Sequence, residues 1–179
     1  MNVKTVNEIK KIEHYLSLMA TNDKEALSDF YQLTKNEVYG YALSIVKNKE
    51  DASDIMQNVF IQIYRNCHNY KSNGKPMAWI LTITRNASYE ILRHSSKKQT
   101  VDIDLFEIQS NEMNQIDNLL LKECLSTLAQ IEYEIVVLHA ISGLKHKEIA
   151  KILNLPLSTT LSKYHRAMKK LKQKIKEEA

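Results

Sequence analysis

Ser158, Thr159, Ser162, Lys163 and Arg166 crowd the stretch just after Pro156, and Lys169, Lys170, Lys172 and Lys174 continue the charge beyond them. Hydroxyls donate and accept at base edges, while guanidinium and ammonium groups bind guanine or phosphate. This is chemistry for meeting an anionic polymer rather than for breaking bonds. A second group of the same kind is Arg85, Asn86, Glu90 and Arg93, with His94, Lys97 and Lys98 after it. A polar loop carrying Tyr70 and Asn73 precedes it. Exposed aromatics stack on unpaired bases while cations follow the backbone, so this group suits a nucleic-acid strand. Trp79 and Tyr89 suit a core equally well, which is the commoner place for large aromatics. Residue types alone leave both readings open.

The remaining reactive residues do not assemble into a catalytic pattern. No nucleophile–base pair, paired carboxylates or phosphate-cradling glycine loop occurs, so no enzymatic activity is expected. Asp51, Asp54, His146 and His165 read as surface or contact residues. Cys67 and Cys124 stand apart without CxxC spacing, and the Cys67-His68 pair lacks a second pair of ligands. Neither a metal nor a cofactor is expected. Net charge is +4, which permits nucleic-acid binding without demanding it. No signal peptide opens the chain, and no run approaches the ~18 apolar residues of a membrane span. The expected location is the cytoplasm, without membrane insertion.

The elements that must position these residues are helices. Of 179 residues only three are glycine and two proline, too few for the frequent turns that strands require. Val3, Ile9, Ile12 and Leu16 suggest a leading helix. One long helix, or two with a weak point at Gly40, follows from Glu25. From Asp51 to Asn66, the residues Ala52, Ile55, Met56, Val59, Phe60, Ile63 and Tyr64 draw one apolar stripe. The segment "HNYKSNGKP" (68–76) has the composition of a loop. The next helix places Trp79, Ile80, Ile83, Ala87 and Ile91 inward, with Arg85, Asn86, Tyr89, Glu90 and Arg93 on its other side. Residues 101–118 carry Asp102, Asp104, Glu107, Glu112 and Asp117 without a single cation and read as a linker. Helices are then expected over Leu119–Leu128 and Tyr133–Ile141.

After the break at Gly143, the short "HKEIAKILN" helix, the turn at Asn154–Pro156 and the helix from about Leu157 follow helix-turn-helix grammar. In that motif the early residues of the second helix reach base edges in the major groove. A solvated lysine face is the plain alternative, and the tight turn with its short preceding helix favours DNA. The predicted fold is all-α: a helical domain over 1–100, an acidic linker over 101–118, and a helix-turn-helix domain over 119–179.

Two blocks also carry a family resemblance. "DASDIMQNVFIQIYRN" (51–66), Trp79 and "ITRNASYEILR" (83–93) resemble the core-binding and promoter-melting domain of bacterial sigma factors, in the small extracytoplasmic-function (ECF) group. "LSTLAQIEYEIVVLHAISGLKHKEIAKILNLPLSTTLSKYHRAMKKL" (125–171) is similar to that group's second domain, which reads the −35 element. The resemblance implies a sigma factor that brings core RNA polymerase (the β′ coiled coil, with the β subunit) to promoter DNA, under an anti-sigma protein. It implies polymerase contacts at Asp51, Asp54, Gln57 and Asn58. It places −10 contacts at Tyr70, Asn73, Arg85, Asn86, Glu90 and Arg93, with the loop 68–76 receiving a flipped base. It also implies −35 contacts at Ser158, Thr159, Ser162, Lys163 and Arg166, and a linker threading the polymerase channels. The chain departs from the pattern at Ser53 and Asn58, where acids are common, and at Glu90, where Asp is usual. Pro156 stands where a capping serine is common and Leu161 where a cation is common. Leu161 stays open: its spacing with Leu157, Tyr164 and Met168 favours the core or its edge, whereas the family pattern puts that position on DNA.

Two rivals remain at this level. A stand-alone helix-turn-helix regulator, binding operator DNA as a dimer, needs no polymerase. A helical interaction protein would show no salt-dependent DNA binding.

Overall fold

A computed structural model describes residues 6–94 and 124–178. Among them, α1 spans Val6–Ala20, α2 Glu25–Val46, α3 Lys49–Asn66 and α4 Pro76–His94. A 3-10 turn at Cys67–Asn69 follows α3, and α5 (Gln130–Ala140), α6 (His146–Ile152) and α7 (Leu157–Glu178) complete the order. The described residues contain no strand. The acidic stretch 101–118, Lys97, Lys98 and the junction at 118–119 lie outside the described residues.

Local signals set the helix ends. Asp23 Oδ1 accepts the N–H groups of Glu25 and Ala26 (2.9 and 3.3 Å), and Asn48 Oδ1 accepts that of Asp51 (2.9 Å). These side chains satisfy donors that the first turns of α2 and α3 leave unpaired. Asn22, Lys47 and Asn154 adopt left-handed φ of 66°, 57° and 53° just past α1, α2 and α6. Asparagine tolerates that region better than most residues, which explains two of the three. Gly40 does not interrupt α2; it is buried within the helix.

The long α2 packs against α1, α3, α4 and α5. Phe30, Val38, Tyr41, Ala52, Val59, Ile63 and Ile80 are buried there, with Phe30 edge-on to Phe60 at 6.0 Å between centroids. The stripe expected on α3 is in place: Ala52, Ile55, Val59, Phe60 and Ile63 are buried. On α4 the inward face differs from the expected one. Met77, Ile80, Leu81, Thr84, Ala87 and Ser88 are buried, whereas Trp79, Ile83 and Ile91 are only half-buried. The reason lies in the two hydroxyls. Thr84 donates to the Ile80 carbonyl (3.0 Å) and Ser88 to the Thr84 carbonyl (2.8 Å), so both enter the core with their polarity satisfied. The two helical blocks also press together, α5 on α2 and α6 on α4, and one continuous buried cluster runs through both.

Candidate nucleic-acid interface

The turn between α6 and α7 is built by its backbone. The Leu155 N–H reaches the Ala150 carbonyl (2.9 Å) and the Asn154 N–H the Lys151 carbonyl (3.2 Å), with Asn154 left-handed. That pairing ends α6 sharply. Pro156 then stands immediately before α7, where a missing N–H leaves no bond unmade, and its carbonyl accepts the Thr160 N–H at 3.0 Å. Along α7, Ser158, Ser162 and Arg166 are exposed one above another, with Thr159 and Lys163 half-buried beside them. Ser162 Oγ donates to the Ser158 carbonyl (2.9 Å) and Arg166 Nε to the Ser162 carbonyl (3.4 Å).

The inward face of α7 is Thr160, Tyr164, Ala167 and Leu171, not the expected Leu157–Leu161–Tyr164–Met168 line. Leu157 is 43% exposed and Leu161 half-buried at the core edge. Thr160 is buried because its hydroxyl bonds the Pro156 carbonyl (3.1 Å), and Ala167 is small enough to let α7 approach α5. Lys170 Nζ completes the seam at 2.7 Å from Glu132 Oε2 on α5. Burial pushes the Glu132 carboxyl up, but Lys170 and the Ala129 N–H outweigh it and hold it below its ordinary value. Lys170 is therefore a structural cation.

His139, His146 and Tyr164 pack ring against ring at 4.5–5.1 Å where α5, α6 and α7 meet. Burial, then the neighbouring His139 and His165, depress His146 below 6.5. Its neutral form is thus the folded one. The stability it contributes is full above that ordinary value and is lost as pH falls from there through the depressed pKa. Glu13 and Glu132, also depressed, lose theirs only below 4.5. The expected result is a thermal midpoint that falls as pH drops below about 6.5, a slope that His146→Phe flattens. An unchanged slope in that variant would refute it.

On α4 the predicted residues separate. Asn86, Glu90 and Arg93 are exposed along one line of the helix, and Arg93 Nε donates to the Tyr89 carbonyl (3.3 Å). Arg85 and Tyr89 instead turn to Glu134 of α5, which is wholly buried. Arg85 Nε stands 3.1 Å from Glu134 Oε2, Tyr41 donates to the same oxygen at 3.0 Å, and Tyr89 donates to Oε1 at 2.5 Å. Burial and then Glu134 raise both phenols, that of Tyr89 to about 12, so they remain donors. In this arrangement Arg85 is not presented to DNA alongside Asn86 and Arg93.

The loop before α4 is tied back as well. Tyr70 is half-buried, its ring 5.3 Å from that of Trp79 and its hydroxyl 2.7 Å from Glu13 of α1. Asn73 is exposed, and its Oδ1 accepts the Lys75 N–H at 3.1 Å. On α3, Asp54, Gln57 and Asn58 form an exposed polar face with Ile61, while Asp51 is half-buried in the first turn. Sequence reasoning missed Glu13, Glu132 and Glu134 as organising groups. The signal for Glu134 was legible: an acid inside the apolar run "IEYEIVVL" must find donors if the run is buried.

An all-helical architecture ending in a helix-turn-helix defines the class, a helical DNA-binding protein. The Sigma-70 region 2 family model matches residues 30–98 and the Sigma-70, region 4 model matches 118–171. The ECF RNA polymerase sigma factor SigM of Bacillus subtilis is 29% identical over 152 residues, covering 82% of this chain and 93% of that protein. SigK of Mycolicibacterium vanbaalenii is 23% identical over 173 residues, covering 91% and 88%. Among solved structures, CnrH in complex with the cytosolic domain of CnrY aligns with TM-score 0.69 at 17% identity, over 94% of this chain and 99% of that one. RpoE bound to the anti-sigma factor NepR, from Bartonella quintana, aligns at 0.67 and 22%, over 83% and 97%. The chain belongs to the sigma-70 family of RNA polymerase sigma factors, in the extracytoplasmic-function group. Its place is in transcription initiation, with RNA polymerase and promoter DNA as partners.

Proposed function

We propose that the chain divides this work among three surfaces. The exposed face of α3, with Asp54, Gln57 and Asn58 at its centre and Asp51 at its edge, docks on the β′ coiled coil of core polymerase. The 68–76 loop and the outer line of α4 (Asn86, Glu90, Arg93) engage the opened −10 element, and Arg85 joins them when the two blocks part. The start of α7 (Ser158, Thr159, Ser162, Lys163, Arg166) reads the −35 element. Residues 101–118 link the two domains through polymerase channels lined with cations, touching the β subunit. The protein works in the cytoplasm, has no catalytic site of its own, and is held silent by an anti-sigma protein. The two solved neighbours support that last point: CnrH is in complex with the cytosolic domain of CnrY, and RpoE with the anti-sigma factor NepR.

One observation carries the reading: both sigma regions lie on one chain, in order. An operator-binding dimer needs only the second. The direct test adds the purified chain to core polymerase and looks for promoter-dependent transcripts; specific duplex binding without polymerase would favour the operator regulator. A sharper form replaces Asp54 and Gln57 together by alanine. Both are exposed, so the melting temperature should stay put while affinity for core polymerase falls at least about tenfold. Normal core binding by the double variant would remove α3 from the interface.

A further inference from the structure

We propose that Glu13 is a positioning residue for promoter opening, its carboxylate holding the 70–74 loop in the shape that receives an unpaired base. The proposal rests on the reading of that loop given above and adds to it a residue outside both family matches. Glu13 lies on α1 (Val6–Ala20), whereas the region 2 match begins at residue 30.

One oxygen does the holding. Glu13 Oε1 accepts the Tyr70 hydroxyl at 2.7 Å, the Gly74 N–H at 2.9 Å and the Asn73 N–H at 3.1 Å. These donors lie at both ends of the segment, so the carboxylate closes it into a ring around one anionic centre. Successive N–H groups converging on an anion form a nest. Gly74 makes that possible with φ +71°, and an added Cβ there would meet nothing within 4 Å, so conformation rather than space calls for glycine.

Beyond Glu13, the loop is held at its far end, where Lys75 Nζ lies 3.3 Å from Glu148 Oε1 on α6 and the Lys75 N–H reaches Asn73 Oδ1 at 3.1 Å. Lys71, Ser72, Asn73, Gly74 and Lys75 are all exposed, so between Tyr70 and Lys75 the carboxylate of Glu13 is the main tie. A polar segment of that kind samples many conformations, and ordering it costs about 1–2 kcal/mol per residue. If that ordering came only with the flipped base, it would be subtracted from the energy of opening. A loop ordered in advance by α1 avoids the loss. Tyr70 follows the same logic. Its hydroxyl is held by Glu13 and its ring packs on Trp79, so it is the loop's anchor, and Lys71 and Asn73 carry the outward side chains.

The charge state agrees with the geometry. Burial pushes the Glu13 carboxyl up, but hydrogen bonds from Tyr70, Gly74, Ser72 and Asn73 outweigh it and hold it below 4.5. Near neutrality it is an anion with its donors in place.

Trp79 is the sole tryptophan, so its fluorescence reports the loop without DNA. The test uses the full chain with core polymerase on duplex promoter, comparing Glu13→Ala, Glu13→Gln and Tyr70→Ala. Glu13→Ala should change Trp79 emission, leave closed-complex binding unchanged and lower the open fraction about tenfold, the scale of a lost charge-assisted bond. Glu13→Gln keeps an amide oxygen in place and should restore most of both signals. Normal opening by Glu13→Ala overturns the proposal, as does equal loss of closed and open complexes. If Tyr70→Ala opens promoters normally, the loop reading itself falls. If Tyr70→Ala fails to open them while Glu13→Ala succeeds, only the role of Glu13 falls.

Discussion

Replacing Glu134 by alanine costs the free chain about 3–5 kcal/mol, read as a lowered urea midpoint. The carboxylate is wholly buried and three groups from the first block converge on it: Arg85, Tyr41 and Tyr89. Its removal strands the Arg85 guanidinium and leaves the Tyr41 hydroxyl, itself buried, without its acceptor. Breaking one side of such a pair costs more than the pair contributes, because the remaining charge keeps its desolvation and loses its compensation. Glu134→Gln keeps an acceptor for the tyrosines and should cost less. Arg85→Ala should cost the free chain a comparable amount from the other side, and the two changes should be strongly non-additive. This also bears on promoter assays. A defect in Arg85→Ala counts as lost DNA contact only after its folded fraction has been measured. If Glu134→Ala lowers the unfolding free energy by less than about 0.5 kcal/mol, the Glu134 cluster does not hold the blocks together.

The second large effect belongs to α7. Arg166→Ala or Lys163→Ala should cost about 1–3 kcal/mol in promoter affinity where the lost contact is bidentate to a base, with relaxed preference at one −35 position. Lys172→Ala should weaken all sequences alike and reduce the salt slope by about one unit. Lys170→Ala should do neither. Its ammonium is 2.7 Å from the buried Glu132 carboxylate, so its loss should appear as lower stability of the second block. A panel of single-base promoter changes at two salt concentrations separates the cases. Identical behaviour of all four variants across the panel would make α7 a basic handle and put the reading surface elsewhere.

Much of this was legible in residue order. Scarce glycine and proline, the apolar steps of α3 and the Asn154–Pro156 break follow from local rules, and α1, α2, α3, α6 and α7 stand where those rules put them. The polar face of α3 was legible for the same reason: a helix with one apolar stripe exposes its other side. Inward faces that rely on hydroxyls were harder. Periodicity counts apolar residues, and Thr84, Ser88 and Thr160 enter the core because backbone carbonyls of their own helices accept their protons. That shifted the buried line on α4 and again on α7.

Order along the chain was enough to establish an all-helical protein ending in a helix-turn-helix, because helix period, capping residues and turn residues act within a few positions of one another. The sigma-factor reading came from the resemblance of the 51–66, 83–93 and 125–171 stretches to that family. The roles of Glu13, Glu132 and Glu134 came only from the folded chain. Tyr70 is 57 residues from Glu13, Lys170 is 38 from Glu132 and Tyr41 is 93 from Glu134. A carboxylate carries no mark of which distant donor will reach it. Only the packing of α1 beside the 67–76 segment, α7 on α5 and α5 on α2 brings each acid to partners that make its burial affordable.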